Sequence, residues 1–411
     1  MNPLLIVGLA TILSFGAGWL IHKLKFPMVT GYVLMGALLG ASAIGLFNAR
    51  ALDQVNVVSD LALGVVAFSI GGELKRQVFK QLGKSIFSIV LFEALGAFVL
   101  VTTAMFFMTH KLYMALILGA VSAATAPAAT VAVLQQYRAK GPLTTTILAV
   151  VGIDDAIALI IYAFASSIAK ALIGGGEGVS LSSALLIPVV EIFGAIVVGL
   201  LMGAILSVLS RKMREQAYLL TLTMGAILIC SGIALRFQLS ELLANMALAM
   251  AFVNLAPARR SKQVLDVVQL MGFPLIAAFF CLAGARLEIG LLPQIGWMGL
   301  VYTLTRMAGK FGGAFTGAKL SHAPQVVQKY IGLSLWPQIG VALALAIIVG
   351  KDFKFYGDEG HFLATLVINL LLFTTLITEV VGPLMTRWAL GRAGETGSRK
   401  SEASGQRPEG V

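Results

Sequence analysis

Three observations in this 411-residue chain predict an all-α polytopic membrane protein. Hydrophobic residues make up 58% of it and charged residues only 12%, against about 25% charged in a typical soluble domain. Apolar stretches of roughly 20 residues, the length a helix needs to cross a bilayer, recur along nearly the whole chain. The few charges inside those stretches are single acids and bases and one adjacent acid pair, the pattern of membrane-buried functional groups rather than of a solvated face.

Taken in order, the stretches predict thirteen transmembrane helices: 3–21, 28–47, 54–72, 85–108, 112–136, 142–169, 182–210, 216–235, 239–257, 265–284, 293–318, 327–350 and 361–388. The first has no Lys or Arg before it and basic residues after it, so it reads as a retained span and not as a signal peptide. Cys230 and Cys281 lie inside apolar segments and carry no information about redox compartment. A net charge of +11 could suggest nucleic acid, but the placement of the bases says otherwise. Twenty-one of the thirty Lys and Arg fall in one set of alternating loops and the C-terminal tail, and seven fall on the opposite side. The positive-inside rule then puts the N-terminus outside and the C-terminus in the cytoplasm of a cell (inner) membrane.

The sixth segment, PLTTTILAVVGIDDAIALIIYAFA, carries Asp154 and Asp155 at mid-span. An acid at the bilayer centre costs about 2.5–3.5 kcal/mol on insertion scales. Neighbours on a helix point about 100° apart, so one carboxylate can face a water-filled cavity while the other reaches a partner helix. Intramembrane acids so arranged bind cations, carry protons, or do both. Desolvation favours the protonated carboxylate and a nearby cation favours the ionised one, so a buried acid can trade a proton for a cation. The two bases inside a segment, Arg306 and Lys310, lie four residues apart on one face of the eleventh helix. Lys310 is too deep to snorkel easily, so pairing with a buried carboxylate is expected.

Two segments are interrupted. The fifth carries SAATAPAAT with Pro127, and the twelfth carries WPQIG with Pro337. A proline frees a backbone carbonyl, tolerable at membrane depth only where it lines a cavity or is buried in protein. The two are seven segments apart, so they cross in opposite senses, and segments 4–6 and 11–13 take the form of an inverted repeat with broken crossing helices. The ordinary role for Glu241, which opens the ninth segment, is at a helix N-terminus. Glu379 is expected to pair or cap near the cytoplasmic end of the thirteenth. Asp60 and Glu191 are candidates for an interface between domains, and Glu93 in the fourth segment lies in the prospective core. His22, His110, His322 and His361 fall near segment ends. No metal-ligand cluster, phosphate loop or nucleophile constellation is present, so no enzyme activity and no cofactor are expected.

These residues occur in an ordered series: FPMVTGYVLMGALLG, ATAPAAT, KGPLTTTILAVVGIDDAIAL, GKFGGAFTGAKL, LWPQIGVALALA and TEVVGPLMTRWALGRAGE. The series resembles the monovalent cation:proton antiporters, in particular the sodium/proton exchanger branch with paired aspartates, and spans about residues 25 to 395. The resemblance implies that Asp155 binds sodium and protons competitively and that Asp154 pairs with Lys310. Thr125, Pro127 and Thr130 would flank the ion. It implies an exchanger domain over about 1–390, with a dimerisation part at about 1–80 and 216–285, a core at about 84–170 and 293–388, and a linker helix at about 182–210. It also implies a homodimer and electrogenic exchange; the expected partners are small cations as substrate and the lipid bilayer, with no nucleic acid. Arg306 is a departure. Carrying both bases leaves open whether Lys310 or Arg306 meets Asp154, with Glu93 a possible mate for Arg306. Residues 391–411 are polar and expected to be a disordered cytoplasmic tail, too short for the nucleotide-binding domain of potassium-efflux relatives. The expected function is sodium (or lithium)/proton antiport. Potassium/proton antiport is the alternative, and a sodium-coupled organic anion symporter on a related fold is a further one.

Overall fold

The computed structural model describes residues 2–23, 28–48, 52, 54–74, 76, 83–173, 181–213, 215–288, 290 and 292–396. Among these the backbone is helical apart from turns and one isolated bridge between Gly40 and Phe47. The first helices are α1 (Pro3–Lys23), α2 (Met28–Leu39), α3 (Asn56–Glu73), α4 (Lys84–Thr109), α5 (Leu112–Ser122), α6 (Pro127–Gln136), α7 (Pro142–Ile173) and α8 (Leu181–Ser210). They continue as α9 (Gln216–Arg236), α10 (Glu241–Leu255), α11 (Ala258–Gly284), α12 (Leu292–Leu320), α13 (Gln325–Tyr330), a 3-10 turn (Ile331–Leu335), α14 (Gly340–Phe353) and α15 (Gly357–Ala393).

Each predicted segment coincides with a helix or with a broken pair of helices. Among the described residues, seven helices are long and apolar enough to span a membrane as single helices, and an eighth span results if the pair flanking Pro337, bent by 46°, is counted as one. The second segment is shorter than its hydropathy suggests. Gly36 and Gly40 lie against the backbone of α11, where a Cβ at Gly36 would sit 1.9 Å from the Cys281 carbonyl. The chain then hooks back, Phe47 N–H donating to the Leu39 carbonyl at 2.9 Å, and seats the Phe47 ring in a cluster with Ile6, Ala10, Leu52 and Cys281.

Packing divides the helices. α1, α2, α3, α9, α10 and α11 pack among themselves, and α4–α7 pack with α12–α15. Helix α8 lies on α10 and also touches α7. The closest pairing in the second group is α4 with α12. It rests on Gly309, Gly313 and Gly317, one per turn of α12: a Cβ at Gly313 would meet the Phe92 carbonyl at 2.1 Å. Small residues at this spacing let two membrane helices approach backbone to backbone, which sets Glu93 opposite α12 at the level of Lys310.

The expectation of disorder from residue 391 onward is corrected in part. α15 runs to Ala393, and Glu395 is buried. Its carboxylate accepts from the Leu143 and Thr144 amides and the Thr144 hydroxyl, each at 2.7 Å. Helix α7 begins at Pro142 with unpaired amides, and an anion there complements the helix dipole. The remainder of the expected tail, 397–411, lies outside the described residues.

Candidate functional site

The site forms where two breaks in the second helix group face each other. Between α5 and α6 the chain leaves helical geometry at Ala123–Ala126, and Pro127 restarts it at the first helical position, where a missing N–H costs nothing. Between the 3-10 turn and α14, residues Trp336–Ile339 are non-helical. The Ala126 amide donates to the Pro337 carbonyl at 2.9 Å, and the Thr130 hydroxyl to the Ser334 carbonyl at 2.9 Å. Gln338 Nε2 donates to the Val121 carbonyl and to the Tyr302 hydroxyl oxygen, both at 3.0 Å, while its own carbonyl accepts from the Thr375 hydroxyl at 2.9 Å. Backbone groups that proline freed are thereby answered inside the protein, as a dry interior requires.

Two bases from α12 organise this crossing. Lys310 is fully buried and meets three elements: its ammonium donates to the Asp154 carboxylate of α7 (3.1 and 3.3 Å) and to the Ala123 carbonyl in the first break, and it forms an ion pair with the Glu93 carboxylate of α4 (2.6 Å). Arg306, one turn earlier, is equally buried and bonds carbonyls alone. Nε donates to Ser122 (3.0 Å), Nη1 to Trp336 (2.6 Å), and Nη2 to Ala124 (2.8 Å) and Pro337 (3.5 Å). Of the two bases, Lys310 therefore meets Asp154. The pairing of Arg306 with Glu93 is corrected: Glu93 faces Lys310, because the glycine contact of α4 with α12 puts it there. The planar, five-donor guanidinium instead suits a set of carbonyls spread over both breaks.

Asp154 is fully buried beside Glu93 and the Thr125 hydroxyl. Asp155 is 2% exposed, and its Oδ1 has no hydrogen-bond partner among the described residues. The adjacent acids thus divide as helix geometry demands, one locked into a cation and the other left free. Glu379 on α15 is buried beside Arg306 and the backbone of Gln338, so it belongs to the crossing and not to a solvated helix end. Glu241 occupies the first turn of α10, whose cap is Ser240, accepting from the Leu243 amide at 3.3 Å. Asp60 pairs with Lys351 of α14, and Glu191 lies near Lys170 and Asp352. Tyr302, Thr375 and Ser334 complete the crossing without having been singled out in the sequence, whereas Gln338 stood out there as the polar residue that follows Pro337 in an apolar run.

A buried carboxylate oxygen without a hydrogen-bond partner, one residue along the helix from an acid that is ion-paired with Lys310, can hold either a proton or a small hard cation. Comparison with known proteins agrees with that chemistry. A profile of the family described as "Sodium/hydrogen exchanger, transmembrane" matches residues 9–392. A relative in Alkalihalophilus pseudofirmus, "Ammonium/H(+) antiporter subunit AmhT", is 24% identical over 378 residues, covering 89% of this chain and 91% of its own. The fold matches that of the sodium proton antiporter MjNhaP1 from Methanocaldococcus jannaschii. Its structure at pH 8 gives a TM-score of 0.79 at 18% identity, covering 95% of this chain and 98% of that one. A three-dimensional electron-microscopy map of the same protein gives 0.73 at 20% identity, with 96% and 98% covered. Family members are transporters that need no cofactor. The chain belongs to the sodium/hydrogen exchanger family: it is a multi-pass membrane antiporter of cations and protons, not an enzyme.

Proposed function

We propose that this chain exchanges sodium or lithium for protons by alternating access, with Asp155 as the residue that carries one or the other. The observation that supports it most is the division of the acid pair: Asp154 is held by Lys310, and Asp155 is buried with an unpartnered Oδ1. The Thr125 hydroxyl would add an oxygen ligand for the cation, while Thr130 ties the two breaks together. Asp154, Lys310 and Glu93 hold the site in shape, and Arg306 braces the crossing.

Electrogenic exchange is part of this reading, and a charge count supports it. Glu93, Asp154, Asp155 and Glu379 are buried around the crossing with Lys310 and Arg306 as the buried bases among the described residues. Uncompensated charge is costly in a dry interior, so protons or cations must make up the difference. A site that needs two positive charges has reason to move more than one proton per cation. The inverted repeat is taken to be α4–α7 against α12–α15. In this reading that group moves as the core, α1–α3 with α9–α11 form the dimerisation part of a homodimer, and α8 links them. The chain makes thirteen crossings of a cell (inner) membrane, with the N-terminus outside and the C-terminus in the cytoplasm.

A second reading keeps the mechanism and changes the cation. The relative named as an ammonium antiporter subunit favours a larger monovalent cation, ammonium or potassium. One assay separates these. Purified protein is reconstituted in proteoliposomes with an imposed pH gradient and a pH-sensitive dye, and sodium, lithium, potassium and ammonium are added in turn with the voltage free or clamped. Sodium- and lithium-driven proton flux that responds to voltage and is abolished by Asp155→Asn is the expected result. Asp155→Asn protein exchanging at the unaltered rate would sink the site assignment, and flux with potassium or ammonium alone would move the chain to the second reading.

A further inference from the structure

The face of α7 that bears Asp155 continues away from the site as Leu159, Tyr162, Ser166 and Lys170, residues three or four apart and so on one stripe. The stripe leads to the end of the bundle opposite the loops rich in Lys and Arg. There α14 closes it: Asp352 accepts from Lys170 at 3.0 Å and from the Ser166 hydroxyl at 3.3 Å, with the Tyr162 hydroxyl alongside. The preceding residue, Lys351, turns the other way and pairs with Asp60 of α3, while Glu191 of α8 borders the cluster. Two adjacent residues of α14 therefore hold two different things. Asp352 holds the stripe leading to Asp155, and Lys351 holds the other helix group.

We propose that the Asp60–Lys351 ion pair is a reversible latch across the far mouth of the path to Asp155, positioning α14 so that Asp352 seals the stripe. The two partners belong to different packed groups, so opening this mouth separates them. Their side chains are 27% and 28% exposed, against 2% for Asp155. The latch is partly open to its surroundings and the site is enclosed by protein. Ion pairs with such access are weak, as a contact made and broken in each cycle must be, whereas the triad at Lys310 is fully buried and suited to persist. The latch rests on the exchange reading, because a protein that moved no cation would have no need of a far mouth.

The test joins the two positions covalently. Asp60→Cys and Lys351→Cys are combined with Cys230→Ala and Cys281→Ala, the protein is reconstituted, and sodium-driven proton flux is read in one sample before linkage, after linkage with a short bis-methanethiosulfonate, and after reduction. The expected result is at least a tenfold loss on linkage, regained on reduction. Flux within twofold of the unlinked rate, in protein shown by peptide mass spectrometry to be linked, overturns the latch. If the double-cysteine protein exchanges too poorly to read, charge reversal decides. Asp60→Lys and Lys351→Asp should each shift the half-saturating sodium concentration on the far side at least threefold, and together return it to within twofold of the unaltered chain. Single reversals that leave it unmoved also overturn the latch. Unaltered protein that responds to no monovalent cation would sink the exchange reading itself, whereas flux that survives linkage sinks only the latch.

Discussion

Lys310 serves three elements with one ammonium, so its removal leaves two carboxylates facing each other in a dry interior. Breaking a buried ion pair from one side costs about 3–5 kcal/mol. Lys310→Met is therefore expected to lower thermal stability in detergent strongly. Combining it with Glu93→Gln should recover part of the loss, because one of the stranded charges is gone; equal melting temperatures for the single and double variants would refute the triad. Arg306→Lys tests a different geometry. A lysine cannot span the carbonyls of Ser122, Ala124 and Trp336 at once, so at least one is left unanswered at about 1–3 kcal/mol. A variant as stable and as active as the unaltered chain would mean that the guanidinium fork does not brace the crossing. Residue identity alone marked both bases as buried, but which carboxylate each meets depends on how α4 approaches α12, and that is a matter of backbone distance.

At the scale of elements, the stripe Gly309, Gly313 and Gly317 sets that distance. A Cβ at Gly313 would lie 2.1 Å from the Phe92 carbonyl, a backbone atom that cannot swing aside, so Gly313→Val must push α4 off α12. Loss of a monodisperse peak on size-exclusion chromatography, or of exchange in whatever folds, is the expected outcome; unchanged exchange would mean that the helices separate without consequence. Helix α7 depends on a contact distant in sequence. Glu395→Ala removes the cap on the Leu143 and Thr144 amides and should cost about 0.5–2 kcal/mol, read as a lower melting temperature, with Glu395→Gln falling between. Hydropathy placed a predicted segment on each of the long described helices, yet nothing in GRAGETG announced a cap, because Glu395 gains its role only when the end of α15 comes beside the start of α7.

For the whole molecule, the orientation argued from the basic loops makes a direct prediction. A fluorescent protein fused after Val411 should glow and an alkaline phosphatase fusion at the same point should be inactive, since the first matures in the cytoplasm and the second only outside it. The reverse pair of results would invert the topology and put the Asp60–Lys351 end on the cytoplasmic side. The division into two packed helix groups, joined along α7, α8 and α14, is what any relative movement must respect.

The class, most of the helix positions, the two breaks and the charges at mid-span were legible in the chain alone, because hydropathy, proline chemistry and the cost of burying charge are local properties of a chain in a bilayer. The sequence also carried enough ordered motifs to point to the family. The pairing of Lys310, and not Arg306, with both Asp154 and Glu93, the carbonyl contacts of Arg306, the place of Glu379 in the crossing, and the reach of Glu395 and Lys351 to distant helices became visible once the helices were packed. Each of those contacts joins residues far apart in sequence, and their meeting is set by glycine-mediated helix approach and by where the broken helices cross, quantities that no local pattern encodes.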